Sequence, residues 1–194
     1  MNRDLTMLAR DWLRRGIRRT DDVGAELRRV DPMIGQAEDT GVPLVPSYHP
    51  VVRHLDDASH GFRGLEALAK AGPLLPWRHG YVPALSRAGL EDRLAWAEII
   101  GPEAPLRHPA LCLGFVLMAP HPVYPVHAHP AVELYHIISG HARWTAGDRI
   151  EDQRAGDFIL HPSSIRHAMT TADEPLLTIY TWTGNVTSPS CFLP

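Results

Sequence analysis

His127 and His129 are two residues apart, and Glu133 and Tyr135 are two apart just downstream. On a strand, side chains at that spacing point to the same face. Each pair therefore presents both members together. Pro130 lies between the pairs and interrupts the backbone ladder, because proline has no N–H to donate. Two imidazoles and a carboxylate turned the same way combine borderline nitrogen with hard oxygen, a donor set suited to a first-row divalent metal. A fourth ligand has to come from elsewhere in the chain. The best candidate is His167, which follows Gly156 and Pro162. One divalent transition metal ion (Zn, Fe or Mn) is therefore expected, and ligand type alone does not separate the three. His121, His136, His141 and His161 lie nearby but off this pattern. Strand alternation puts His136 on the face opposite Glu133 and Tyr135, as a structural or exposed residue. His161 is placed to border the pocket.

These residues must be held by short strands. The chain has 194 residues with Gly 15 and Pro 18, richer in turn-formers than usual. From Leu94 onward, β-branched and aromatic runs alternate with turn residues: Leu94–Ile100, Leu111–Ala119, Val132–Ile138, Ala142–Thr145, Phe158–Leu160 and Leu176–Trp182. Such spacing predicts a sandwich or barrel. Upstream the texture is helical. Leu5, Leu8, Trp12 and Leu13 make one apolar face over residues 3–15, with Gly16 as a stop. A second helix is expected from an N-cap at Thr20 or Asp21, ending before Pro32. Residues 40–60 read as loop and as a candidate lid. Phe62, Leu65, Leu68 and Ala69 suggest a third helix, stopped at Gly72 and Pro73. Pro76, Gly80 and Pro83 mark another irregular stretch.

Composition excludes several classes. Lys+Arg 19 against Asp+Glu 22 gives a net charge of -3, which argues against nucleic acid or an anionic membrane as partner. The arginines at 14, 15, 18, 19, 28 and 29 therefore read as a solvated helix face rather than a DNA reader. Cys112 and Cys191 lack metal or disulfide spacing and fit a reduced, cytoplasmic setting. Charges at Arg3, Asp4, Arg10 and Asp11 interrupt any signal-peptide core. The longest uncharged apolar run, Leu111 to Ala119, is far short of the ~20 residues that span a membrane. A homodimer stays open.

The two ligand segments resemble the paired motifs of the cupin superfamily. His127, His129, Glu133 and Gly140 fit the first motif at every position, and Gly156, Pro162 and His167 fit the second. Ser164 stands where the second motif has glycine, and Thr171 where it has asparagine. The resemblance implies a mostly β, double-stranded β-helix (jelly-roll) barrel over 74–194, behind a helical N-terminal extension over 1–73. A narrower likeness runs over roughly residues 74–186, including the Leu75–Arg78 and Ala95–Pro102 segments. It includes Tyr124, Tyr135, Tyr180 and Trp182 and is similar to the cupin-type dimethylsulfoniopropionate lyases, the Q branch in particular.

That likeness implies a carbon–sulfur lyase that acts by β-elimination. A carboxylate bearing a β-dimethylsulfonium group would give acrylate and dimethyl sulfide. The chemistry needs a base for the proton beside the carboxylate and a cation to stabilise the enolate-like charge. A tyrosine, with a free pKa near ~10, suits the task if a neighbouring cation lowers that value. Matched to the family, Tyr124 and Tyr135 are implicated in deprotonation or positioning, with Tyr124 favoured as base and Tyr135 at the metal. Tyr180 and Trp182, two apart on one face, would wall the sulfonium, since aromatic faces attract such cations. Two other readings share the ligand set: an Fe(II)-dependent cupin dioxygenase, and a non-catalytic cupin that binds a small carboxylate.

Overall fold

The structure is a computed structural model that describes residues 2–43, 45–59, 65–81 and 89–193. Its α-helices are α1 (Asn2–Arg14), α2 (Asp22–Gln36), α3 (Leu55–Ser59) and α4 (Glu66–Ala71), with a short strand between α2 and α3. The strands are β1 (Glu38–Asp39), β2 (Leu94–Gly101), β3 (Leu106–Arg107), β4 (Leu111–Met118), β5 (Val123–Ala128) and β6 (Val132–Ser139). They continue with β7 (His141–Ala146), β8 (Arg149–Arg154), β9 (Phe158–His161), β10 (His167–Thr171), β11 (Leu176–Thr183) and β12 (Cys191–Phe192). One sheet has the order β1-β3-β2-β4-β11-β6-β9, and the other β12-β5-β10-β7-β8. The described pairings are antiparallel apart from the short β2–β3 ladder. This is the expected mostly β barrel of cupin type with helices at its N-terminal end.

Strand alternation divides the molecule into two cores. Ala95, Ala97, Leu111, Leu113, Phe115, Leu117, Leu134, Leu177 and Ile179 form the outer face of the large sheet, packed with Leu5, Ala9, Trp12, Leu27 and Val30 of α1 and α2. The intervening residues Leu94, Cys112, Val116, Tyr135, Ile137 and Tyr180 turn inward, with Tyr124, Trp144 and Met169 of the smaller sheet. Large sheet and helices thus bury one set of positions, and the two sheets bury the other.

The second helix departs from expectation. Asp21 is its N-cap, accepting from the Gly24 N–H at 3.0 Å, but the helix continues through Pro32 to Gln36. A proline inside a helix loses one ladder bond and costs roughly 3 kcal/mol. Burial of Ile34 and the pairing of Asp31 with Arg10 and Arg14, each at 2.7 Å, hold the last turn in place. Those pairs also show what the arginines do. Arg10 and Arg14 staple α1 to α2, and Arg28 donates to the Ile17 and Arg19 carbonyls. Residues 50–59 are not loop: Pro50–His54 forms a 3-10 turn that runs into α3. The third helix is present as α4 and passes into a 3-10 turn at Gly72–Leu74. Phe62 and Pro83 lie outside the described residues. No helix among the described residues is long and apolar enough to cross a membrane.

Candidate metal centre and active site

The site lies between the sheets. β5 carries Tyr124 and His127, and His129 follows it directly. β6 carries Glu133 and Tyr135, β9 ends at His161, β10 starts at His167, and β11 carries Tyr180 and Trp182. Register fixes their proximity: His167 faces His127, His161 faces Glu133, Trp182 faces Glu133 and Tyr180 faces Tyr135. A bulge after His167 shifts the β10–β5 register there. Ser164, standing where the cupin motif has glycine, adopts φ 64. It keeps the turn at the modest cost that a non-glycine residue bears there. Its N–H donates to the His129 carbonyl at 2.9 Å, and the Ser163 hydroxyl donates to Pro130 at 2.7 Å, so this turn clamps the one bearing His129. At the matching glycine of the first motif, Gly140 (φ 80), a Cβ would collide with the Pro175 carbonyl oxygen.

Three histidines are held alike. Nδ1 lies 2.7 Å from the Pro125 carbonyl in His127, 3.1 Å from Ala131 in His129 and 2.9 Å from Ile165 in His167. A carbonyl can only accept, so each Nδ1 carries the proton and each Nε2 presents a lone pair. His129 Nε2 lies 3.0 Å from Glu133 Oε2, and His167 Nε2 lies 3.3 Å from the same oxygen. His167 Nε2 is buried with no hydrogen-bond partner. Three acceptor atoms therefore converge, an arrangement that a cation between them makes favourable. Ligand atoms of His129, Glu133 and His167 all lie within 4.8 Å of one another, which fits a single divalent ion. His127 flanks this trio, its ring 4.0 Å from that of His167 and 6.4 Å from that of His129.

His161 also belongs to the site. The Trp144 indole N–H donates to its Nε2 at 2.9 Å, so Nδ1 holds the proton and donates to Glu133 Oε2 at 3.1 Å. The Trp182 indole N–H donates to the other carboxylate oxygen at 2.7 Å, and its ring leans on His129 at 4.2 Å. Burial would raise the Glu133 carboxyl, but its contacts with His129, His161 and His167 prevail and hold it well below the usual range. Burial opposes charge on His129 as well, and the Glu133 contact raises its pKa in spite of that. His161 is lowered to about 4, chiefly by burial. His136 is on the far face, as alternation required. Its ring stacks on Phe158 at 4.0 Å beneath Trp12.

Tyr124 stacks on His127 at 4.0 Å, and its hydroxyl is hydrogen-bonded to that of Tyr81. Tyr135 packs edge-on to Trp144 and His161. Burial raises both phenols well above the ordinary tyrosine value, and the nearby Glu133 charge adds to it. A cation at the trio would act in the opposite direction. His161, expected to border the pocket, is fully buried behind Glu133. Tyr124, Tyr135, His127, His129, Glu133, Tyr180 and Trp182 border a cavity of about 250 Å³. That is below the usual ~300–1,000 Å³ of ligand sites and suits a metabolite of few atoms. The cavity wall also includes Arg78, Tyr81, Trp96, Glu98 and Cys112, along with residues 186–190, whereas no described residue of 40–59 lines it. Sequence reasoning missed Tyr81, Trp96 and Glu98. Alternation along β2 places Trp96 and Glu98 on one face, and that was the available signal. Burial raises the Glu98 carboxyl, with Arg78, Cys112 and Tyr180 pulling it back.

A family model for dimethylsulfoniopropionate lyases matches residues 26–178. The chain belongs to the dimethylsulfoniopropionate lyase family. That span takes in the converging trio and both tyrosines beside it, and stops short of Tyr180 and Trp182. A Cereibacter sphaeroides family member with the provisional name dimethylsulfoniopropionate lyase DddL is 38% identical over 150 residues, covering 72% of this chain and 62% of the relative. The dimethylsulfoniopropionate lyase DddQ of Ruegeria pomeroyi is 33% identical over 131 residues, covering 66% of this chain and 65% of the relative. The chain thus spans less than two thirds of the length of either curated relative. Among solved structures, a chain from the crystal structures of the dimethylsulfoniopropionate lyases RdDddP and RnDddQII superposes with a TM-score of 0.83 at 26% identity. That match covers 100% of this chain and 97% of that one.

Proposed function

We propose that this chain cleaves dimethylsulfoniopropionate by β-elimination, giving acrylate and dimethyl sulfide. His129, Glu133 and His167 would hold one divalent transition metal ion, with His127 the fourth ligand. The observation that carries the reading is the convergence of bare Nε2 and carboxylate atoms beside two buried phenols, in a cavity sized for a small molecule. When bound, the ion supplies positive charge against the negative charge that develops on the substrate carboxylate.

The chain's own residues do the rest. Tyr124, as the phenolate that a cation at the trio would favour, takes the proton from the carbon beside the carboxylate; the Tyr81 hydroxyl, hydrogen-bonded to it, would donate to that oxygen. The C–H electron pair becomes the new C=C bond, and the C–S bond breaks to release neutral dimethyl sulfide. Tyr135, next to Glu133, positions the carboxylate end. Tyr180 and Trp182 close the wall and exclude water.

Metal-loaded protein incubated with the sulfonium substrate should release dimethyl sulfide and acrylate in equal amounts with no uptake of oxygen. Oxygen consumed in step with product would overturn the elimination in favour of a dioxygenase. Loaded protein that releases no dimethyl sulfide would remove the lyase reading.

A further inference from the structure

On the inner face of the large sheet, Tyr135, Tyr180, Gly114 and Glu98 occupy one register row across β6, β11, β4 and β2. The row crosses three strand gaps of about 4.8 Å, so the backbones of Tyr135 and Glu98 are roughly 14 Å apart. Gly114 leaves the row open in the middle: a Cβ there would fall 2.9 Å from Cε1 of Tyr180. The Tyr180 ring therefore lies across β4, and its hydroxyl reaches Glu98 Oε2 at 3.5 Å. Arg78 Nη2 stands 3.5 Å from the other oxygen, at the long end of an ion pair, and the arginine side chain is 57% exposed against 15% for Glu98. Trp96, two residues before Glu98 on the same strand face, packs edge-on to Tyr81 at 5.7 Å. Tyr135, Tyr180, Glu98, Arg78, Trp96 and Tyr81 all line the cavity. The cavity thus has a cation-binding trio at one end, and at the other a carboxylate among three aromatic rings.

We infer that Glu98 is a specificity-determining residue whose carboxylate, with the faces of Trp96, Tyr81 and Tyr180, takes the cationic end of a zwitterionic substrate. The identity of that cation as a sulfonium rests on the lyase reading above. A sulfonium or quaternary ammonium has no N–H or O–H to donate, so it is recognised by opposite charge and by π-faces. The rings alone would also accept a neutral branched alkyl group of the same shape. The carboxylate is what discriminates, and it does so against the opposing influence of Arg78. Arg78 neutralises Glu98 in the empty pocket, and its exposure leaves it free to turn toward solvent when a cation arrives.

Two unreactive probes of matched shape test this. 3-(Trimethylammonio)propanoate carries the charge, and 4,4-dimethylpentanoate is its uncharged isostere. Binding to the metal-loaded protein, followed by calorimetry, should favour the cationic probe by about tenfold or more, the scale of a partly desolvated cation contact. Glu98→Gln should bring the ratio close to one, Glu98→Asp should restore part of it, and Arg78→Gln should raise it. The proposal is overturned if the wild type has no preference, or if the preference survives in Glu98→Gln. Should Glu98→Gln fail to fold, an unchanged or lower preference in Arg78→Gln overturns it instead. A preference that behaves as expected in a protein releasing no dimethyl sulfide would remove the lyase reading and leave the role of Glu98 standing.

Discussion

Glu133 Oε2 has three imidazoles within 3.3 Å, and they reach it in two different ways. His129 and His167 bring lone pairs, whereas His161 brings a proton set by Trp144. His161→Ala should therefore weaken metal binding about 10–100-fold, the usual cost of losing a group that orients a ligand, and titration of the apoprotein with Zn²⁺ would measure it. Trp182→Phe removes the 2.7 Å donor to Glu133 while keeping a ring against His129, so it should lower metal affinity less than His129→Ala does. For the base, Tyr124→Phe and Tyr135→Phe separate the phenol oxygen from the ring. At least one should lose roughly 10²-fold or more in kcat with metal content retained, as expected for a lost general base. Near-normal turnover in both variants and in the double variant would exclude tyrosine from the role. His129 and Glu133 were legible in the sequence because period-two spacing puts His127 with His129 and Glu133 with Tyr135, and His167 because of its place after Gly156 and Pro162. The part played by His161 and Trp144 was not, because the contact of His161 with Glu133 and of Trp144 with His161 depends on how β9 pairs with β6 and how the smaller sheet packs over it.

The helices and strands fail or succeed as sequence signals for reasons of burial. β2, β4, β6 and β11 are buried on both faces, by helices outside and by the cavity side within, and so read as near-continuous apolar runs. β8 was invisible: it is the edge strand of the smaller sheet and almost wholly exposed, so Arg149–Arg154 carries no apolar alternation. β5 was read from the spacing of His127 and His129 alone, since Pro125 within it and Pro122 just before it leave no apolar alternation. The seam between α1 and the large sheet has its own titration. Burial lowers His136 to about 4, while its Nδ1 donates to the Asp157 carbonyl at 3.1 Å. Because the folded value lies below the unfolded ~6.5, the unfolded chain binds the proton first as pH falls. The stability held by neutral His136 is complete above pH ~6.5 and is lost on the way down to pH ~4, on the order of 3 kcal/mol. His136→Asn keeps a donor for Asp157 and removes the titration. Urea midpoints for that variant should fall less between pH ~6.5 and ~4 than those of the wild type, and parallel losses would contradict the assignment.

At the scale of the whole molecule, the two-sheet barrel followed from the turn-punctuated strands, and the residues of the cupin motifs come together between the sheets. The helical layer was read only in outline, because Pro32 and the Pro/Gly-rich stretch before α3 look like helix breakers when tertiary packing is out of view. The far wall of the cavity, with Arg78, Tyr81, Trp96 and Glu98, was missed because these residues lie far in sequence from the motifs. A site made of converging acceptors should make metal binding a large part of stability. At a free metal concentration about 100 times Kd, the folded state gains about 2.7 kcal/mol, which should appear as a higher Tm for the loaded protein and vanish in Glu133→Ala. The most direct check on the account is headspace dimethyl sulfide released from dimethylsulfoniopropionate by wild-type and Glu133→Ala protein prepared side by side. The account predicts sustained release matched by acrylate in the wild type and release at background in Glu133→Ala. A metal-loaded wild type that stays at background, or a Glu133→Ala protein that matches it, would contradict the claim that elimination occurs at this trio.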